Sequence, residues 1–434
     1  MNRHDCVPAS MLPIRGGASS SRRPIFSFEK RRPKTFFLSF RSGLTMRQQQ
    51  QERHPQQQPH GHVSRHSLGL LPSAIASVPF PRAGPEDAEG RTVHHNILCV
   101  AGWNDDVREH QLNLMNLNVQ KLFGEIDDVP EVSLLSSFTV PRAVASLDVS
   151  QETRGSTMVV AGGDDGALYR LRLTLPTAPG SSPSAIRLDT ADFGETDLLE
   201  FCRPHRHLVS DVRVHESGEV AVSVSLDGSM CMTDLTSRSS QTVVQNAATS
   251  FTQCAFTRSS RSSIVTGSHQ GCCVVWDART PAGGDGSSAP GGSGALATGK
   301  LRVGNDANDA EPVTALATHP SKPHVFVCGG AEGLFKEYDF RYPERPTFSE
   351  RVGRDAITSI CYENQGSSVE RLRFCTDGGS LYKVIQGEGA ALVYEEAHTP
   401  FTGLAVSPGV GDSQVFCATA AEAMVFLSMA SKYY

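Results

Sequence analysis

Fifteen histidines and 46 acidic side chains supply the residue types for acid-base or metal chemistry, so their spacing is what has to be weighed. His54, His60, His62 and His66 crowd a glutamine-rich stretch, where weak metal binding competes with plain solvation, and solvation is the simpler reading. His94-His95 and His205-Arg206-His207 have no Cys/His cluster at ligand spacing beside them. His215 and His319 each end a short apolar run, a place for an imidazole that steadies a turn rather than for a base. The pairs Asp105-Asp106 and Asp164-Asp165 could do acid-base work, but polar residues in tight loops explain them more cheaply. The acidic run GEIDDVPE, 124–131, reads as a connection in the same way. There is no HExxH, GxSxG, phosphate-binding loop or dinucleotide fingerprint. No catalytic, cofactor-binding or metal-ligating residue is therefore assigned, and the expectation is a chain that does no chemistry and needs no cofactor.

The elements around these residues repeat. VVAGGDDGALYRLRL, AVSVSLDGSMCMTDL, SIVTGSHQGCCVVWDAR, HVFVCGGAEGLFKEYDFR and RLRFCTDGGSLYKV are each an alternating apolar run, a glycine turn and a second run. That is a β-hairpin in which glycine supplies the positive φ of the turn. The turn glycines Gly166, Gly228, Gly271, Gly333 and Gly379 stand 62, 43, 62 and 46 residues apart. Both long intervals hold a Gly/Ser/Pro-rich stretch, near 177–195 and 281–308, expected as flexible insertions. Without them the period is the 40 to 45 residues of a WD repeat. Trp276-Asp277 is the one complete Trp-Asp pair, with Tyr338-Asp339 and Thr233-Asp234 in equivalent places. The aspartate is expected to hold the turn after the third strand and the aromatic to pack between repeats. Ahead of each hairpin lies one more short strand: VASLDVS, VSDVRVH, FTQCAFT, VTALATHP and ITSICYE.

Five units follow directly. Two weaker ones, 96–117 and 401–429, bring the expected architecture to an all-β, seven-bladed WD40-type β-propeller, with six blades as the alternative. In the last unit VFCATAAEAMVF is read as a hairpin with Glu422 at the turn where other blades carry glycine. Because the chain stops soon after that hairpin, the strand that closes the ring is expected from the N-terminal side, within 66–79.

Residues 1–65 carry 12 Lys/Arg against 3 Asp/Glu, and the rest carries 28 against 43. The start is expected to be a disordered basic, Gln-rich tail: a solvated segment, a nuclear-localisation cluster, a nucleic-acid tether, an Arg/Ser-rich organelle presequence, or an over-extended start ahead of Met46. Residues 66–434 are expected to be the propeller, too acidic to hold nucleic acid, so that any such binding rests on the tail. Eleven cysteines without a CxxC imply free thiols and a reducing compartment, cytosol or nucleus. No apolar run approaches membrane-spanning length.

Gly102-Trp103-Asn104-Asp105 with Leu112-Asn113-Leu114, Thr318-His319-Pro320, Phe374 to Leu381 and the closing Cys417 to Ala423 resemble, in order, the small WD-repeat nucleoporins. The resemblance spans roughly 96–430 and is most specific at its two ends; Ala420 departs from it, as do the basic tail and the glycine-rich insertion. It implies a scaffold subunit of the Y-shaped outer-ring complex of the nuclear pore, supporting nucleocytoplasmic transport. Its implied partners are α-helical scaffold nucleoporins and other propeller subunits, with no small-molecule substrate and no membrane insertion. Trp103, Asn104 and Asp105 are the docking candidates, an aromatic on a polar loop being a plausible anchor; packing of Trp103 against the next blade is the competing role. Rival functions on the same fold are another WD adaptor, such as a ubiquitin-ligase substrate receptor or a chromatin reader, and a propeller hydrolase.

Overall fold

The computed structural model describes residues 61–80, 91–122, 125–126, 129–151, 156–176, 181–189, 198–258, 260–279, 297–302, 311–363, 371–385, 388–407 and 413–429. All lie within the compact unit Gln57–Tyr434. They form seven antiparallel sheets of four or five strands. The innermost strands are Leu71–Val78, Val144–Gln151, Val209–Val214, Phe251–Phe256, Val313–Thr318, Ile357–Glu363 and Phe401–Val406. Each touches the next, and the last returns to the first. The protein is a closed, seven-bladed β-propeller.

Alternation of apolar and polar residues along short strands explains the blades, and burial between them explains the ring. Val222, Val224 and Met230 of blade 3 share a core with Phe251, Ile264 and Trp276 of blade 4. Burying such side chains contributes about 1.5–3 kcal/mol each before chain entropy is charged. Every inner strand also carries a β-bulge near its start. There the hydroxyls of Ser73, Ser210, Thr252 and Thr314 donate to the carbonyls of Val144, Phe251, Val313 and Ile357 on the next blade, at 2.7–2.8 Å.

The last blade combines Phe401–Val406, Ser413–Thr419 and Ala423–Met429 with Gly61–Ser67, paired from Gly61↔Met429 to Ser67↔Ala423. An N-terminal strand does close the ring, but it lies earlier than the sequence suggests and takes in residues 61–65, read there as tail. The stretch expected to supply it is instead the inner strand of blade 1, Leu71–Val78. The physical reason is that an outer strand needs little apolar surface: HVSRHS has one large apolar residue, Val63, and the neighbouring strand's backbone holds it.

Three further expectations are corrected. Ala297–Arg302, inside the expected insertion 281–308, is the outer strand of blade 4. Within 177–195, Pro183–Ala185 forms a short 3₁₀ turn and Arg187–Leu188 pairs with the third strand of blade 2. The acidic stretch likewise contributes Glu125–Ile126 and the start of Glu131–Val140 to blade 1. Residues 177–180, 190–195, 281–296 and 303–308 of the two insertions and residues 1–60 lie outside the described residues, as do the tail readings.

Candidate functional site

At the hairpin turns, Gly166, Gly228, Gly271, Gly333 and Gly379 have φ between 76° and 87°. A second constraint acts at three of them. A side-chain carbon at Gly166, Gly228 or Gly379 would overlap the carbonyl oxygen of His205, Asn246 or Glu396, in the loop that leads to the next blade. Those loops come so close because their amides donate to the turn: Asn246 N to Gly228 O and Glu396 N to Gly379 O, both 2.8 Å. Glu422 occupies the same place in the last blade, with φ 55°, and its carbonyl accepts from Leu68 N at 2.8 Å.

Trp276 is 6% exposed; its Nε1 donates to Thr266 Oγ1 at 2.8 Å and its ring meets Phe251 edge-on. Both contacts lie within blade 4, and the indole also joins the core that blade 4 shares with Val222, Val224 and Met230 of blade 3. Asp277 accepts from the Arg279 amide and guanidinium, and the guanidinium holds its carboxyl down at about 2. Asp339 makes the same contacts with Arg341, and Asp234 caps the amides of Thr236 and Ser237 at 2.8 Å. These aspartates tie each third strand to the turn after it.

A group that sequence spacing does not single out is formed by Asp227, Ser229, His205 and Ser223. His205 lies in the loop entering blade 3, with Nδ1 2.5 Å from Ser229 Oγ and Nε2 2.7 Å from Ser223 Oγ. Ser229 Oγ donates in turn to Asp227, which also accepts the Arg206 and Ser229 amides at 2.9 Å. The residue types are those of a hydrolytic triad, but the order is wrong. The carboxylate holds a serine, not the histidine. His205 is 3% exposed and both hydroxyls are 0–2% exposed, and burial lowers the imidazole to about 4. The group is a buried clasp. Only the sequence neighbourhood of Gly166 and Asp227, loops that must pack together, hints at it.

On the same face, Trp103 stacks edge-on against His110, its cross-strand partner, at 4.8 Å. Its Nε1 donates to Asp105 at 2.6 Å. Asn104 accepts from the amides of Asp106 and Val107 and donates to Gln111. The ring contact and the indole hydrogen bond of Trp103 thus both lie within its own hairpin. Trp103 stays half-buried beside Val107, which is 51% exposed, and the exposed Asp105, Asp106 and Arg108. Asp165 anchors the neighbouring turn through Arg203 at 2.8 Å. Burial and the nearby Asp165 carboxylate raise the Asp164 carboxyl.

Among the described residues no group of three or more His, Cys, Asp or Glu side chains is placed to hold a metal ion. His215 and His319 accept the amides of Ser217 and Ser321 at 3.2 Å, the turn-steadying role expected of them. No helix among the described residues is long and apolar enough to cross a membrane.

No protein-family model matches the chain. The chain is similar to the nuclear pore complex protein NUP43 of Arabidopsis thaliana, with 25% identity over 318 residues, covering 68% of this chain and 80% of that protein.

Proposed function

We propose that this propeller is a structural nucleoporin, a scaffold of the outer-ring complex of the nuclear pore that supports nucleocytoplasmic transport by holding other subunits. The observation that carries the reading is the likeness to the Arabidopsis pore protein over 80% of that protein's length. It coincides with a closed ring whose His205 clasp serves its own packing. A scaffold needs a rigid core and free loops, and the fold supplies both.

Docking is assigned to the hairpin of Trp103, Asn104 and Asp105, because it offers a half-buried aromatic and an exposed valine on a polar loop. Helical scaffold nucleoporins and a neighbouring propeller are the partners this role requires. The test is to tag the protein ahead of residue 1 and follow it in cells. Decoration of the nuclear rim and co-purification of pore scaffold proteins are expected. Recovery of ubiquitin-ligase or chromatin subunits without pore proteins would overturn the assignment in favour of another WD adaptor.

A further inference from the structure

Where the inner strands end, a cavity of about 650 Å³ opens on the propeller axis. Its wall is lopsided. Two residues past the bulge, blades 2 and 3 place Asp148 and Arg213, whereas blades 1, 4, 5 and 7 place Ala76, Ala255, Ala317 and Ala405. The charged pair faces space that the alanines leave open, and the volume is that of a small-ligand pocket.

The two charges are not equally satisfied. Arg213 Nε donates to Asp211 at 3.3 Å, and Asp211 also accepts the amides of Val212 and Cys254 at 3.0 Å. Asp148 accepts the Val214 amide at 2.7 Å and the Val149 amide, but its closest approach to the guanidinium is 3.9 Å, too long for a hydrogen bond. Burial outweighs the nearby Arg213 charge and lifts the Asp148 carboxyl to about 6. One more group lacks a partner. His215 is 6% exposed and lines the cavity; its Nδ1 accepts the Ser217 amide at 3.2 Å, which leaves the proton on Nε2, and Nε2 has no partner among the described residues. The rings of Phe256 and Tyr362, both half-buried, line the same cavity.

We propose that this axial cavity, whose wall also includes Phe256 and Tyr362, binds a ligand bearing a primary ammonium group, held by the Asp148 carboxylate. A cation supplies what Asp148 is short of, and aromatic faces favour a desolvated ammonium. An anion would meet the Asp148 carboxylate, with Arg213 already engaged by Asp211. The Cys361 thiol on the same wall hydrogen-bonds to its neighbour's carbonyl and is raised by burial to about 11, which suits a neutral lining group rather than a nucleophile. The proposal is independent of any role at the nuclear pore.

The ammonium could come from a lysine side chain of a partner or from a free amine, and titration calorimetry of the full chain separates them. The probes are Nα-acetyl-lysine methylamide, 1,4-diaminobutane and, as the uncharged control, the norleucine analogue of the first. Saturable binding of either amine, with none by the control, is expected. Asp148→Asn should weaken it about tenfold or more and Phe256→Leu several-fold. Asp148→Asn keeps shape and the Val214 amide contact and removes a half-buried charge, so its melting temperature should not fall, which keeps the test valid if Phe256→Leu does not fold. Binding should fade as pH drops through about 6. The groups facing Asp148 are Arg213 and Asp211 from blade 3, the latter with its carboxyl also raised by burial, and the neutral Cys254 and Cys361 thiols from blades 4 and 6. Preference for one probe identifies the source. Absence of saturation by both amines at millimolar concentration, or equal binding by Asp148→Asn, overturns the proposal.

Discussion

Glu422 holds a left-handed conformation where five other blades use glycine. A side chain there costs about 1–2 kcal/mol of backbone strain, yet space decides whether it is tolerated. The loop after Glu422 is the short link from Ser67 to Leu71, whereas the loop after Gly228 presses the Asn246 carbonyl onto the turn. Glu422→Gly should therefore raise stability by about 0.5–1 kcal/mol. Gly228→Ala should lower it by about 2 kcal/mol or more, strain and overlap combined. Urea unfolding of the two variants compares them directly, and a stabilising Gly228→Ala would refute the account. His205 makes a prediction about pH. Its folded pKa of about 4 lies below the usual histidine value, so the unfolded chain binds the proton more readily. Stability should fall as pH drops from about 6.5 to 4, by at most about 3 kcal/mol from this residue. Asp148, raised to about 6, acts in the opposite sense, losing its contribution as pH rises. The clean measurement is thus the difference between the parent and His205→Asn, which should shrink steadily across that window.

Among the elements, the strand Gly61–Ser67 has the largest consequence. It forms seven residue pairs with Ala423–Met429, and Arg65 reaches Glu396 at 3.0 Å across the next loop. Removing residues 1–60 should leave the melting temperature nearly unchanged. Removing 1–67 should cost at least about 3 kcal/mol and bare a sheet edge that aggregates, readable by thermal melts and light scattering. A deletion ending at residue 65, the boundary that composition suggests, would cut into the closing strand. Composition misleads there because an outer strand is held by backbone pairing. The hairpins are legible for the opposite reason: their strands bury both faces, so Val159 to Ala161 and Phe416 to Ala418 are written as apolar runs beside a turn residue. What stays hidden in the sequence depends on contacts between blades. Asp148, Arg213 and His215 meet only when two inner strands lie side by side, and no spacing along the chain announces it. The hydroxyls at the bulges are of this kind too. Thr314→Val keeps the shape but leaves the Ile357 carbonyl without its donor, and about 1 kcal/mol should be lost.

At the scale of the whole molecule, the ring separates two tasks that compete in a smaller domain. Interblade cores and the clasp of His205 fix the sheets, so the exposed turns are free to carry recognition. Trp103→Ala tests that separation. It removes a contact with His110 and a hydrogen bond to Asp105, both within one hairpin, so stability should drop by no more than about 1 kcal/mol. Recovery of the partner should drop at least about tenfold if the indole anchors it, whereas an equal loss of fold would make the residue structural. Charge constrains the partner further. Residues 66–434 carry 28 basic against 43 acidic side chains, with Asp105, Asp106 and Asp164 beside the proposed anchor. An acidic body draws a basic surface faster than a neutral one, and the attraction is screened over about 8 Å at physiological salt. Association with the scaffold partner should therefore slow several-fold between about 0.05 and 0.5 M salt, with little change in dissociation. Stopped-flow or surface-capture kinetics would measure it. A rate indifferent to salt would place the contact on an uncharged part of the propeller, away from Trp103.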